Sequence, residues 1–177
     1  MPNSLIPSLH GNFLVIDKLG VIITGEPNIG KSELSLALLD RKHQLVCDDV
    51  VELKKQQEKL IGVCPALTRH YLMISGIGVL DIQKLFGPQS ICREHPIDLI
   101  IHLVKLEKMP AIEDPLHPLY ESLTLMNITI PKILFPAQVG KSLPLLVETL
   151  VRNHHLKISG DDAGEKFNRH YYDARKQ

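Results

Sequence analysis

The stretch Gly25-Glu26-Pro27-Asn28-Ile29-Gly30-Lys31-Ser32 fits the spacing G-x-x-x-x-G-K-[ST]. Before it, Val21-Ile22-Ile23-Thr24 is a β-branched run of the kind that forms a short buried strand; after it, Leu34, Leu36, Ala37, Leu38 and Leu39 continue at helical spacing. Strand, glycine loop and helix in that order constrain the chain to an α/β fold with a P-loop at its centre. Gly25 and Gly30 can take backbone angles closed to other residues, so main-chain N–H groups can close round phosphate oxygens. The N-terminus of the following helix adds its positive dipole end. Lys31 would reach the β- and γ-phosphates of a nucleotide, and the Ser32 hydroxyl would ligate Mg²⁺. The competing reading is a glycine-rich turn that happens to precede Lys-Ser.

The next informative residues follow at short range. The helix after Ser32 is predicted to end near Arg41-Lys42, where cations suit the negative dipole end, and Gln44-Leu45-Val46-Cys47 forms a short strand ending in Asp48-Asp49. That strand is expected to neighbour the P-loop strand, which puts its carboxylates where Mg²⁺ and the attacking nucleophile would be in an open α/β sheet. Asp also favours turns and helix caps, which is the plainer reading. Upstream, residues 1–8 form an arm with two prolines, His10-Gly11 follow, and Phe13-Leu14-Val15-Ile16 is a strand that turns through Asp17-Lys18-Leu19-Gly20 into the P-loop strand. A histidine at a strand start is ordinarily a surface or capping residue.

Further elements read as follows. Val50 to Leu53 and Leu60 to Val63 make a β-hairpin round a solvated, charged tip, and Tyr71-Leu72-Met73-Ile74 is a strand. Ser75-Gly76-Ile77-Gly78-Val79 is a glycine-punctuated turn, and Asp81 stands near the cap of a short helix through Phe86. Gly87-Pro88-Gln89-Ser90 is predicted to open a mobile loop. Leu99 to Val104 is a buried strand, and the prolines from Pro110 to Pro118 predict an irregular excursion between Met109 and Leu119. Strand pattern returns at Leu123, Leu125 and Asn127-Ile128-Thr129-Ile130, with Pro131 and Pro136 framing Lys132 to Phe135 as an edge or terminal strand. Gly140-Lys141-Ser142 reads as a helix N-terminus with Lys141 facing an anion. The helix behind it presents Leu145, Leu146, Thr149, Leu150 and Arg152 as its apolar face, and a polar terminal helix carries Phe167, His170, Tyr171 and Tyr172, a docking element or an oligomer contact.

Composition narrows the class. A chain of 177 residues with 44% hydrophobic and 23% charged residues is read as one globular domain with its own core. Lys and Arg number 20 and so do Asp and Glu, giving a formal net charge of +0 that argues against nucleic-acid or membrane surfaces. Cys47, Cys64 and Cys92 have no C-x-x-C spacing and read as reduced thiols of a cytoplasmic protein rather than a disulfide frame or zinc site. The start of the chain has neither the basic residues nor the apolar core of a signal peptide, and no apolar run approaches membrane-spanning length.

Taken together, several collinear blocks carry a family likeness. They are His10-Gly11; the loop from Gly25 to Ser32; Arg41-Lys42-His43-Gln44-Leu45-Val46-Cys47-Asp48-Asp49-Val50-Val51-Glu52; Leu60-Ile61-Gly62; and Ile74-Ser75-Gly76-Ile77-Gly78-Val79-Leu80-Asp81-Ile82 with Leu85-Phe86-Gly87. The chain resembles, over nearly its whole length, the C-terminal catalytic domain of HPr kinase/phosphorylase. The resemblance implies a P-loop core of the phosphoenolpyruvate carboxykinase-like type with a mixed β-sheet. It also implies an ATP- and Mg²⁺-dependent kinase that phosphorylates a serine of the phosphocarrier protein HPr and removes that phosphate by phosphorolysis, using phosphate or pyrophosphate. Members are typically hexameric. By position, His10 matches the active-site histidine, Lys31 the P-loop lysine, Ser32 a metal ligand, and Asp48 and Asp49 the acidic site, with Asp49 as general base and Asp48 on the metal. The segment from Pro136 to Lys141 matches the one tied to dephosphorylation, and residues 160–177 the helix that contacts HPr.

The departures are specific. A signature Leu-Glu-Ile-Arg-Gly is replaced here by Leu72-Met73-Ile74-Ser75-Gly76, so a thioether stands where the family has a metal-site carboxylate. No arginine stands near Asp114-Pro115, and the family's N-terminal domain is expected to be absent, as in short forms. These departures keep open an alternative, a nucleotide-binding regulatory protein of the same fold with weakened catalysis. A third reading is a kinase of this fold acting on a small molecule.

Overall fold

The computed structural model describes residues 6–138 and 142–174. In chain order the strands are β1 (Ser8–His10), β2 (Asn12–Ile16) and β3 (Leu19–Gly25); helix α1 (Lys31–Asp40); β4 (Gln44–Cys47), β5 (Val50–Gln56), β6 (Lys59–Val63), β7 (Tyr71–Ile74) and β8 (Gly78–Asp81); helix α2 (Ile82–Phe86); β9 (Glu94–Pro96), β10 (Leu99–Lys105), β11 (Leu119–Leu125) and β12 (Ile128–Ala137); and helices α3 (Leu143–Ile158) and α4 (Ala163–Ala174).

Six strands form the central sheet in the order β11-β12-β10-β3-β2-β4. β3, β10 and β12 are parallel, whereas β2 is antiparallel to β3 and to β4, and β11 is antiparallel to β12, so the sheet is mixed. A second sheet, β1-β5-β6-β9, packs on one face of it and α1 and α3 on the other. Coverage on both sides explains why β2 is apolar at consecutive rather than alternate positions after Asn12. Leu14 and Ile16 point toward α1, while Phe13 and Val15 point toward the second sheet, and all five residues of β2 are buried.

The hairpin from β2 into β3, the hairpin of β5 and β6, and the cap of α2 form as the sequence predicts, with the Asp81 carboxylate accepting a hydrogen bond from the Lys84 amide. α1 ends at Asp40 with Arg41 at its cap. Other expectations need correction. Gly78 and Val79 begin β8, a strand paired with β7, rather than completing a turn. Gly87-Pro88-Gln89-Ser90 is not a loose loop: residues Pro88–Ser90 form a 3₁₀ turn, and the buried Ser90 hydroxyl donates to the Gly87 carbonyl at 2.6 Å.

β12 is not an edge strand, despite two prolines that each remove a ladder donor. Pro131 lies opposite Ser122 of β11, before the pairing with β10 begins at Lys132. Pro136 lies opposite Val104 of β10, beyond the end of the pairing with β11 at Leu134. Each proline therefore sits where β12 has a neighbour on one side only, and an interior position is satisfied without the missing N–H groups.

The buried face of α3 is also rotated from the one its leucines suggest. Leu145 and Leu146 are exposed, and Val147, Leu150, Val151 and His154 enter the core. The rotation buries Glu148, whose carboxylate accepts hydrogen bonds at 2.6 Å from both Arg41 Nε and His43 Nε2. Burial works against this charge, but the bonds from Arg41 and His43 prevail and hold the Glu148 carboxyl below its ordinary value. That ion-paired contact ties α3 to the C-terminal end of α1. The predicted anion-facing Lys141 lies outside the described residues, as do Val139 and Gly140.

Candidate active site

The loop between β3 and α1 is set by three backbone conformations. Gly25 has φ +148, and a Cβ there would stand 2.7 Å from the Leu103 carbonyl oxygen, so only glycine lets β10 approach the end of β3. Asn28 has φ 61, and Gly30, with φ 97, immediately precedes the first residue of α1. The left-handed turn at Gly30 points the first amides of α1 back over the loop, the arrangement that binds phosphate oxygens. Lys31 folds over the same loop, its Nζ donating to the carbonyls of Gly25 and Glu26 at 3.2 Å each. Glu26 turns outward to pair with Lys105 and Lys108, which lowers its carboxyl, chiefly through the hydrogen bond from Lys108.

The acidic pair lies across a cleft of about 680 Å³ lined by Gly30, Lys31, Ser32, Asp48, Asp49 and Met73, among others. β4 is not the immediate neighbour of β3; β2 lies between them. Both run antiparallel to β2, however, so β3 and β4 point the same way and their carboxyl ends open on the same edge. The expected placement of the carboxylates survives although the expected adjacency does not.

Asp48 is half-buried and its carboxylate accepts the Met73 amide at 2.9 Å. Burial raises the Asp48 carboxyl above its ordinary value, and the charge of Asp49 adds to this, against the opposing hydrogen bonds from Met73, Asn12 and Ser32. Asp49 is exposed in a left-handed turn at φ 65, with its carbonyl accepting the Gly11 amide at 2.9 Å. His10 is exposed in β1 opposite Val50. Its backbone is therefore within one register step of Asp49, but its side chain is not among those lining the cleft. The other predicted residues, from Gly25 to Ser32, come together in one continuous loop. Of these, Pro27, Asn28, Gly30, Lys31 and Ser32 face the cleft.

Among the cleft residues that the sequence did not mark out is Asn12. Asn12 is buried, with its amide nitrogen 3.0 Å from the Ser35 hydroxyl and 3.5 Å from that of Ser32. It also stands near enough to Asp48 to help hold that carboxylate ionised. It thus joins the first turn of α1 to the acidic wall. Its signal was available: a lone amide heading the otherwise apolar run Asn12-Phe13-Leu14-Val15-Ile16.

Ser32, Asp48 and Asp49 offer a hydroxyl and two carboxylates, all hard oxygen donors of the kind that suit Mg²⁺ together with substrate phosphates. No group of three or more His, Cys, Asp or Glu suited to holding a metal occurs among the described residues, so this is not a dedicated protein cage. The Met73 side chain is exposed on the cleft wall, and only its backbone contributes to Asp48.

Strand, glycine loop, helix and facing carboxylates place the molecule in the P-loop class of α/β proteins. Residues 4–171 match the family described as HPr Serine kinase C-terminal domain, and the chain belongs to that family. A solved structure, that of the Hpr(Ser) kinase/phosphatase from Coxiella burnetii, superposes with a TM-score of 0.86 at 57% identity, covering 91% of this chain and 98% of that one. The HPr kinase/phosphorylase of Nitrosomonas europaea is 42% identical over 166 residues, 92% of this chain and 51% of its own length. That of Caldanaerobacter subterraneus is 36% identical over 163 residues, 92% of this chain and 53% of its own length. The chain thus spans about half the length of these two relatives. Among the described residues no helix is long and apolar enough to cross a membrane.

Proposed function

We propose that this chain is an ATP-dependent serine kinase of the phosphocarrier protein HPr that also reverses its own product by phosphorolysis. The observation that carries the reading is the cleft itself, with Lys31 and Ser32 on one wall and Asp48 and Asp49 on the other. The amides after Gly30 and the Lys31 ammonium bind the phosphates of ATP, and the charge that develops on the transferring group meets fixed donors. Asp49, exposed and facing the open cleft, orients the HPr serine hydroxyl and takes its proton as oxygen attacks the γ-phosphorus, with ADP leaving. In the reverse direction inorganic phosphate attacks the phosphoserine, Asp49 returns the proton to the serine oxygen, and pyrophosphate leaves. Ser32 and Asp48 would hold Mg²⁺, which would supply neutralisation of charge on the phosphates. Asn12 keeps Ser32 and Asp48 in register for this.

Residues 1–177 act in this reading as one catalytic unit, cytoplasmic and assembled as a homo-hexamer. In this reading the terminal segment 160–177 contacts HPr, and its helix α4 exposes Phe167, Tyr171 and Tyr172. His10, beside the acidic turn, completes the site when HPr is bound.

A second reading is favoured by Met73, a thioether on the wall where the resemblance places a metal-site carboxylate: nucleotide binding without efficient transfer. Transfer of labelled phosphate from ATP to purified HPr with Mg²⁺, with Lys31→Ala as the blank, separates the two. Transfer above the blank supports the kinase; tight ATP binding with no transfer leaves the regulatory protein.

A further inference from the structure

Two cysteines meet beside the acidic wall. Cys47 closes β4 of the central sheet and is followed at once by Asp48 and Asp49, whereas Cys64 follows β6 of the second sheet. Both side chains are buried in the apolar layer between the sheets, together with Phe13 and Val51. The β5–β6 ladder pairs Glu52 with Val63, which carries Val51 toward Cys64, and the Cys47 sulfur stands 2.8 Å from the carbonyl oxygen of the adjacent Val50. The two thiols come within hydrogen-bonding reach of each other, and both are free. The phosphate chemistry described above uses neither.

We propose that Cys47 and Cys64 form an oxidisable pair, closed to a disulfide by hydrogen peroxide, and that closing it displaces the acidic turn and slows transfer. The linkage itself stands apart from the kinase reading; its effect on transfer rests on that reading. Cys64 is the attacking sulfur. The hydrogen bond with Cys47, helped by Thr68 and the charge of Arg69, outweighs burial and lowers the Cys64 thiol to about 7. The Cys47 thiol is pushed up, first by the same bond and then by burial. The Cys64 thiolate attacks one peroxide oxygen, the O–O bond breaks, and the other oxygen leaves as hydroxide, which takes up a proton. The Cys47 sulfur then attacks the Cys64 sulfenic acid; the S–S bond forms, the S–O bond breaks, and water departs with the Cys47 proton. Two thiols have lost two electrons and two protons, and the peroxide has become two waters. Residues 66–68, next to Cys64, are an exposed turn whose opening admits an oxidant little larger than water.

The link reaches the site through the backbone. A disulfide draws its sulfurs to about 2.05 Å. Cys47 must then leave the Val50 carbonyl, and Cys64 the Thr68 hydroxyl 3.8 Å away. Val50 braces the acidic turn, its amide donating to the Asp48 carbonyl at 2.8 Å, and the Asp49 carbonyl accepts the Gly11 amide at 2.9 Å. Thr68 is part of the cleft lining. The acidic wall therefore moves with the sulfur that precedes it, while the phosphate loop lies on another segment.

The test treats the reduced full chain with hydrogen peroxide, blocks the remaining thiols and maps the peptides by mass spectrometry, with Cys92→Ser and Cys64→Ser beside wild type. A Cys47–Cys64 linked peptide, cleaved by dithiothreitol, is expected in wild type and in Cys92→Ser. Amide hydrogen exchange at Gly11 and Val50 should be faster in the oxidised form, and transfer to HPr about 10²-fold slower until the link is reduced. Cys64→Ser should form no link and keep its exchange and its rate through the same treatment, which also controls for oxidation of the exposed Met73. Thiols that stay free, or a link that runs through Cys92, overturn the pair. A link that leaves exchange at Gly11 and Val50 unchanged overturns its hold on the acidic turn. Reduced wild type that transfers no phosphate sinks the kinase reading alone, because the linked peptide and the exchange still decide for or against the pair.

Discussion

The two walls of the cleft are built by different means. The phosphate loop is eight consecutive residues, Gly25 to Ser32, whose shape follows from two glycines and Asn28 in left-handed or near-extended backbone, backed by the helix they start. The acidic wall is assembled from separate parts: Asp48 and Asp49 at the end of β4, Asn12 at the start of β2, and the amide of Met73 on the small β7–β8 sheet. A wall made of one local segment tolerates changes elsewhere in the chain. A wall made of several segments depends on how the sheets pack, and its electrostatics depend on burial that no single segment supplies.

The largest expected effect is on the local wall. Lys31→Ala removes the cation that meets the transferring phosphate and should lower transfer to HPr by about 10³-fold or more, with ATP affinity falling as well, read by labelled-phosphate assay and titration. A variant retaining near-normal transfer would mean that charge stabilisation comes from elsewhere in the cleft. Next, Asp49→Asn should lower the transfer rate by about 10²- to 10⁴-fold while leaving ATP affinity within about twofold. A parallel loss of ATP binding would show that the two walls are not separable as described.

Asn12→Ala probes the join between them. It leaves Ser32, Ser35 and Asp48 without their shared amide and should cost about 1–2 kcal/mol of stability, with roughly tenfold slower transfer, measured by denaturant unfolding and assay. An unchanged rate would make Asn12 a core residue only. The smallest effect concerns Asp48 itself. Its carboxyl is raised above the ordinary value of 3.8 by burial and by Asp49, so the native state holds the proton more tightly than the unfolded chain does. The associated stability is present in acid and is lost as pH rises through the raised native value. Asp48→Asn should therefore raise Tm slightly at neutral pH, with the advantage fading as pH falls toward the ordinary value. A constant difference across that range would place the effect in packing instead.

Much of the fold was legible because it is local. The β2–β3 and β5–β6 hairpins, α1 and the Asp81 cap each follow from neighbouring residues that satisfy one another's backbone. Where legibility failed, the deciding contacts were remote. Gly78 and Val79 become a strand because β7 is there to pair with them. β12 is interior because its prolines fall where only one neighbour runs alongside. The face of α3 is turned by Glu148, which no apolar pattern would bury without knowing that Arg41 and His43 await it.

The site divides along the same line. By itself the sequence determined the phosphate loop, its lysine and serine, and the presence of an acidic pair at a strand end, because glycine conformation, helix start and strand end are properties of neighbouring residues. Only the tertiary structure decided that β2 separates β4 from β3 while keeping their ends on one edge, that Asn12 bridges the walls, and that His10 stands beside the acidic turn without lining the cleft. Those facts depend on the pairing order of strands far apart in the chain, and pairing order is chosen by burial on both faces of the sheet at once.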